Sequence, residues 1–457
     1  MSRRRVALGI GANLLDRVLI AAIQLLLVPV LSTHWGVERY GSWAMLMAMP
    51  ALLAMGDLGF ASASTVRMTM EVARGERAQA RTTICSATQI VAVACGLVLL
   101  LVGGLVLFLP ADLLLEVPET SATDLRIAMA ALAGYACVIM FSALLQGVYR
   151  SNERFALGTF LSTVTTLLEN GLLILAVFFN QGIAVAALAL FLGRSLGFAI
   201  MFTVAAMLRT GVLPSFFGGS AEVRRALLGP ALAAMAIPLA NALLLQGTVA
   251  ALGLVAGAAL VPAFAAARTL SRIGLQGSQI LTTALMPEFG AAAALGRHHS
   301  VRRMFVTVLG TAMAIAVPFA LLLALAGPTI VRVWSNNQLD ASAGLMLAIA
   351  ASALFGGIWN PLSNLILAIN RQVEFAIAYA ILAACGVGFT ILFGRMLGNT
   401  AAAAALAIVD FAMLLVVGRF AIRVWGGRQS WEETSRELAS QLRTDMDQLM
   451  GRKETGR

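Results

Sequence analysis

Apolar runs of about 20 residues or more recur along this chain from Gly9 to Val424, and that feature decides the solvent in which it can fold. A helix rises about 1.5 Å per residue, so a run of that length crosses the roughly 30 Å of hydrocarbon in a bilayer. Hydrophobic residues fill 60% of the 457 positions and charged residues 12%, more apolar surface than one water-soluble core can bury. No soluble domain fits between the runs. The sequence predicts an all-α polytopic membrane protein.

About twelve transmembrane helices are expected. The first six run Gly9 to Thr33, Tyr40 to Val66, Ile84 to Leu109, Leu125 to Val148, Leu157 to Phe179 and Ile183 to Leu208. The second six run Leu227 to Gly253, Ala258 to Ala284, Met304 to Trp334, Ala341 to Ile369, Phe375 to Leu397 and Ala401 to Val424. Two six-helix bundles follow, 1–208 and 227–424, joined by a linker over 209–226 that carries Gly211, Pro214, Gly218 and Gly219. A weak internal repeat supports the halves. Gly36 through Arg81 and Gly257 through Arg302 each lead from a short outer turn, down one span, to a glycine-then-basic stretch, with Gly75 and Arg81 in register with Gly296 and Arg302. The tail, 425–457, opens with a capping-box pattern at Ser430 and Glu433 and reads as an amphipathic helix or a frayed end.

A net charge of +10 would suggest nucleic acid in a soluble protein. Here most basic residues fall in the short connections after even-numbered spans, Arg67, Arg74, Arg77, Arg81, Arg150, Arg154, Arg209, Arg224, Arg225, Arg297, Arg302, Arg303 and Arg371, with Arg39, Arg126, Arg332 and Arg395 as exceptions near the outer boundary, where long side chains snorkel. Their alternation encodes topology. The positive-inside rule puts these loops and both termini in the cytoplasm, and the acidic stretch Pro110 to Asp124 outside. Lys453 is the only lysine, which excludes a Walker-type nucleotide loop. Cys85, Cys95, Cys137 and Cys385 lack metal-ligand spacing and read as packing residues, and His298 and His299 read as a solvated turn. Neither a metal, a cofactor nor a catalytic residue is indicated.

Ionisable groups inside spans are expensive and ask for a partner, water or a function. Asn13, Asp16, Arg17 and Gln24 share one face of the first span, because steps of three, four and eleven residues return to nearly the same helical angle. The fifth span carries Thr159, Ser162, Thr163, Thr166, Glu169 and Asn170, and the eighth carries Arg268, Arg272, Gln276 and Gln279. Three polar stripes exceed what helix association requires, so a hydrated central cavity is expected over a dry polar interface. Glu169 and Arg194 lie at similar depth on consecutive spans and read as an intramembrane ion pair. Arg268 and Arg272 have Asp410 and Asp57 as candidate partners. A guanidinium left unpaired in the cavity would attract an anion, and its fork suits phosphate oxygens.

Pro29 near the end of the first span, the Trp35-Gly36 and Tyr40-Gly41 turn, and Asp57-Leu58-Gly59 resemble the pattern of Wzx-type polysaccharide flippases. Ala267-Arg268-Thr269-Leu270 and Pro287-Glu288-Phe289 before a basic loop add to the likeness, which runs from Asn13 to about Arg423. These proteins belong to the multidrug/oligosaccharidyl-lipid/polysaccharide exporter superfamily. The resemblance implies two six-helix bundles around a cavity, alternating access, and transfer of a polyprenyl-pyrophosphate-linked glycan from the cytoplasmic to the periplasmic leaflet of a bacterial inner membrane. It implies, as partners, the lipid bilayer, a polysaccharide polymerase and a chain-length regulator. By span and depth it points to Arg17, Arg268 and Arg272 as substrate-binding residues, beside Asn13, Gln24 and Gln276 from the polar stripes and Arg194 of the sixth span. Asp16, Asp57, Glu169 and Asp410 are candidates for a coupling proton or sodium ion. Many relatives have fourteen spans, whereas twelve are read here. The alternatives are a cation-coupled multidrug antiporter of the same superfamily and, in another class, a membrane glycosyltransferase or polymerase. Pro110 to Asp124, the longest outer loop, is short for an enzyme's catalytic loop.

Overall fold

The computed structural model describes residues 3–108, 120–208, 211–295, 297–368 and 373–424. Most of the acidic outer loop, Arg209, Gly296, Arg371 and the 425–457 tail lie outside the described residues, as do the side chains of Asn13, Gln276 and Gln279. Among the described residues every regular element is helical, in the order α1 Arg3–Leu46, α2 Ala48–Leu53, α3 Phe60–Ala73, α4 Arg77–Phe108, α5 Ala122–Ser151, α6 Phe155–Phe178 and α7 Ile183–Met207. The order continues with α8 Ala221–Ala242, α9 Thr248–Ala256, α10 Val261–Ala294, α11 His298–Trp334, α12 Ala343–Ala368, α13 Val373–Leu397 and α14 Asn399–Val424.

Ten helical stretches among the described residues are long and apolar enough to cross a membrane. The first and second expected spans run together over Leu15–Asp57, and the eighth falls in α10, many of whose side chains lie outside the described residues. The expected all-α polytopic architecture is what the structure shows.

The loop expected between the first two spans is helical except at Gly36, whose φ of 72° and ψ of 177° belong to a region that glycine alone enters freely. Gly257, its counterpart in the internal repeat, turns the chain with φ 97° and ψ 150°. The register read from the sequence therefore pairs two turns of the same unusual backbone. The second span is broken as well. Leu58 and Gly59 are both left-handed, at φ 47° and 79°, and α3 restarts beyond them. Asp57 makes the restart possible by accepting hydrogen bonds from the Gly59 and Ala61 amides at 3.1 and 3.3 Å, which satisfies helix donors that otherwise lack partners. In the seventh span a π turn, Leu243–Gly247, separates α8 from α9.

The described parts of Met1–Ala266, Thr329–Asp340 and Val387–Ala402 form one compact unit, and those of Ala267–Pro328, Ala341–Gly386 and Ala403–Arg457 a second. These packing units cut across the sequence halves, since the first also holds the seventh span. The six-plus-six division expected from the sequence repeat is a different partition from these packing units. In the first unit Met68, Ile84, Val91, Met140 and Leu144 knit α3, α4 and α5 into a buried core. Cys85, Cys95 and Cys137 are buried there as free thiols, as packing residues should be, whereas Cys385 is exposed. The stretch before α8 is fastened to α4. Ser86 Oγ accepts from the Ser220 amide at 2.9 Å, and Gln89 donates to the Phe216 carbonyl at 2.9 Å while accepting from Arg224 at 2.6 Å. In the second unit Phe319 of α11 packs against Gly274 of α10, and Phe355 of α12 stacks obliquely on Phe411 of α14 with ring centroids 5.1 Å apart.

Candidate functional site

Within the first unit, the polar stripes of the first and fifth spans meet. Asp16 Oδ1 accepts a 2.6 Å hydrogen bond from Thr163 Oγ1, which also reaches the Thr159 carbonyl at 3.0 Å. Arg17, on the next position of α1, is half-buried and has no hydrogen-bond or ion-pair partner among the described residues. Gln24 lies two turns further along the same face, and its buried carbonyl oxygen accepts no hydrogen bond from the described residues.

The ion pair expected from matching depth is present. Arg194 Nη1 stands 3.4 Å from Glu169 Oε2, and the two side chains expose only 16% and 7% of their surface. Local packing explains the geometry. Gly193 and Gly197 repeat at the four-residue spacing that lets helices approach closely, and a Cβ at Gly193 would fall 2.5 Å from the Glu169 Cα. The backbones of α6 and α7 therefore touch at the depth of the pair. Tyr135 of α5 completes it, with its ring centroid 5.7 Å from the Arg194 guanidinium carbon and its hydroxyl within hydrogen-bonding reach of Glu169. Tyr135 went unnoticed in the sequence because an apolar span gives no sign of which tyrosine faces a neighbouring charge.

The second unit builds a different carboxylate site. Asp410 of α14 accepts from Ser352 Oγ at 2.5 Å and from the Trp359 indole Nε1 at 2.9 Å, both on α12. Ser352 and Trp359 are seven residues apart, two helical turns on one face, a spacing that ordinary packing residues share. Tyr379 of α13 packs on Trp359 with ring centroids 5.3 Å apart and interacts electrostatically with both Asp410 and Arg272. Of the two partners offered for the eighth-span arginines, Asp410 thus shares a neighbour with Arg272. Arg268 belongs to the same unit and engages in interactions of its own. Asp57 lies in the other unit, where its carboxylate caps α3.

A cleft of about 520 Å³ opens among α3, α4 and α8, lined by Val66, Met70, Leu227 and Pro230 together with Arg67, Glu71, Arg74 and Glu76. Its charges balance. Arg67 is bonded to Glu71 at 2.8 Å, and Glu71 also accepts from Thr83 at 2.8 Å, so the cleft is no anion cradle. Among the described residues no group of three or more histidines, cysteines or carboxylates is spaced to hold a metal ion.

The interruptions of the first and seventh spans fall in corresponding places. Pro29 removes the amide hydrogen that the Leu25 carbonyl would accept, and the register that pairs Gly36 with Gly257 pairs Leu25 with Gln246 inside the π turn. Interrupted helices with intramembrane charges near them define the class of a polytopic, all-helical membrane fold.

Known structures bear out that fold. A multidrug resistance MATE family transporter of the MOP superfamily, solved in an inward-facing conformation, superposes with a TM-score of 0.72 over 92% of this chain and 96% of its own, at 13% identity. The lipid II flippase MurJ, in an inward closed conformation, gives 0.69 over 96% of this chain and 92% of its own, at 14% identity. The MATE multidrug transporter DinF-BH gives 0.67 over 93% and 96%, at 15% identity. No protein-family model and no curated protein matches the sequence. The chain shares the fold of these transporters over nearly its full length.

Proposed function

We propose that the chain is a flippase that carries a polyprenyl-pyrophosphate-linked oligosaccharide from the cytoplasmic to the periplasmic leaflet of a bacterial inner membrane, for cell-surface polysaccharide synthesis. Transport proceeds by alternating access, and the chain acts as a carrier, with no chemical step. The observation that carries this reading is Arg17: a half-buried guanidinium inside a membrane span, without a partner among the described residues, on a face shared with Asp16 and Gln24. Such a group favours a phosphate oxygen over lipid or a cationic drug. Arg268 and Arg272 would supply further positive charge, Asn13 and Gln276 would hydrogen-bond the glycan, and the polyprenyl tail would stay in lipid. One of the structures with this fold is by its name a lipid II flippase.

Depleting the protein and probing intact spheroplasts with a membrane-impermeant lectin tests the reading. A lipid-linked glycan that accumulates out of the lectin's reach is the expected result, and its sugars identify the substrate. Unchanged accessibility would overturn it. A cation-coupled multidrug antiporter is the second reading, favoured by Asp410, whose described hydrogen bonds both come from neutral donors. Two of the structures with this fold are by name multidrug transporters. Dye efflux lost on depletion, without any glycan defect, would select it.

A further inference from the structure

In an unbroken helix the amide of residue 29 would donate to the carbonyl of residue 25, but Pro29 has no amide hydrogen and its ring pushes that carbonyl outward. An orphaned carbonyl in a membrane span is costly and must find another donor. Here the donor comes from 309 residues away: the Trp334 indole Nε1 donates to the Leu25 oxygen at 2.8 Å. Two turns further along the same face of α1, Thr33 Oγ1 meets Asn336 Nδ2 at 3.5 Å. Leu25, Thr33, Trp334 and Asn336 all belong to the first packing unit, although α11 itself begins in the second.

The segment that carries Trp334 is tied by its own hydrogen bonds. Asn336 and Asn337 are both left-handed, at φ 54° and 62°, and the Asn337 amide closes α11 on the Arg332 carbonyl at 2.8 Å. Ser335 Oγ accepts from the Leu339 amide at 3.0 Å, and Arg332 Nε bridges to Asp340 at 3.1 Å. A hydrogen-bonded tip therefore presents one indole donor to one acceptor that a proline has freed.

We propose that Pro29 and Trp334 form a two-part latch between the first and ninth spans, at the ends away from the arginine-rich loops, which must open for substrate to leave on that side. The proline makes the acceptor and the tryptophan fills it. Trp334 is a positioning residue and need not touch substrate. The latch rests on the carrier reading for its consequence in transport, but its test is independent of any substrate.

The test places cysteines at Thr33 and Asn336 (T33C/N336C) in the full-length C385S protein and follows disulfide formation in native membranes under copper phenanthroline. Cross-linking is expected in this background. W334F keeps an aromatic ring but loses the donor, and P29A returns to the helix its own donor for the Leu25 oxygen; each should slow cross-linking about three- to tenfold, the worth of one hydrogen bond. Because both variants break the same bond, W334F/P29A should be no slower than the slower single variant. Absence of the cross-link, an unchanged rate in either single variant that reaches the membrane, or additive slowing in the double would overturn the latch. A latch that passes while lectin accessibility is unaffected by depletion would leave this inference standing and remove the flippase.

Discussion

Glu169 and Asp410 are both carboxylates set within membrane spans, each near a tyrosine, yet they are held in opposite ways. Glu169 sits between two helices whose backbones touch at Gly193, and Arg194 cancels its charge on the spot at 3.4 Å. Asp410 accepts from a serine hydroxyl and an indole, neutral donors that satisfy its oxygens without cancelling its charge. A proton arriving at Glu169 would strand a buried guanidinium, whereas one arriving at Asp410 strands nothing comparable. Under the proposed function we infer that the first site is structural and the second couples transport to an ion.

Four substitutions press on this contrast, and the largest effect belongs to the ion pair. R194A leaves Glu169 buried and unpaired, so it should cost about 3–5 kcal/mol of stability, seen as a lowered midpoint of thermal unfolding in detergent, with much of the loss recovered in E169Q/R194A. An R194A protein that melts like the parent would erase the distinction between the sites. W359F deletes one hydrogen bond to a charged group and should cost about 1.5–3 kcal/mol in the same assay. D410N keeps the shape of the side chain and should preserve folding while lowering transport about 5- to 150-fold, the span of a typical coupling free energy; transport equal to the parent would take Asp410 out of the mechanism. The smallest change is expected from D57A, which removes only the cap of α3, at about 1 kcal/mol, and should lower stability more than it alters transport.

Much of the architecture was legible because membrane spans announce themselves by length and apolarity, which need no tertiary information. The breaks were harder. Asp57-Leu58-Gly59 was visible as a motif, but its role as a cap on a restarted helix depends on two consecutive left-handed residues, and Leu58 is not a residue whose type suggests one. The π turn at Leu243–Gly247 carries no composition signal of its own. Within the candidate site, Glu169 and Arg194 could be paired on depth alone, since adjacent spans set the geometry. Asp410 could not be matched to Ser352 and Trp359 in this way, because its partners come from a span two places away and both are neutral. Charge was readable along the sequence, while neutral hydrogen-bond donors were hidden among ordinary packing residues.

The single-glycine turn at Gly36 also bears on how the protein enters its membrane. With helix on both sides of one residue, the first two spans have no loop that could wait in water while the second is threaded. A turn this tight favours handing the pair to the bilayer together, as a hairpin, which would fix the orientation of the first span only once the second has been synthesised. A nascent chain stopped between them should remain uncommitted. Lengthening that turn would separate two insertion events that the native sequence makes one.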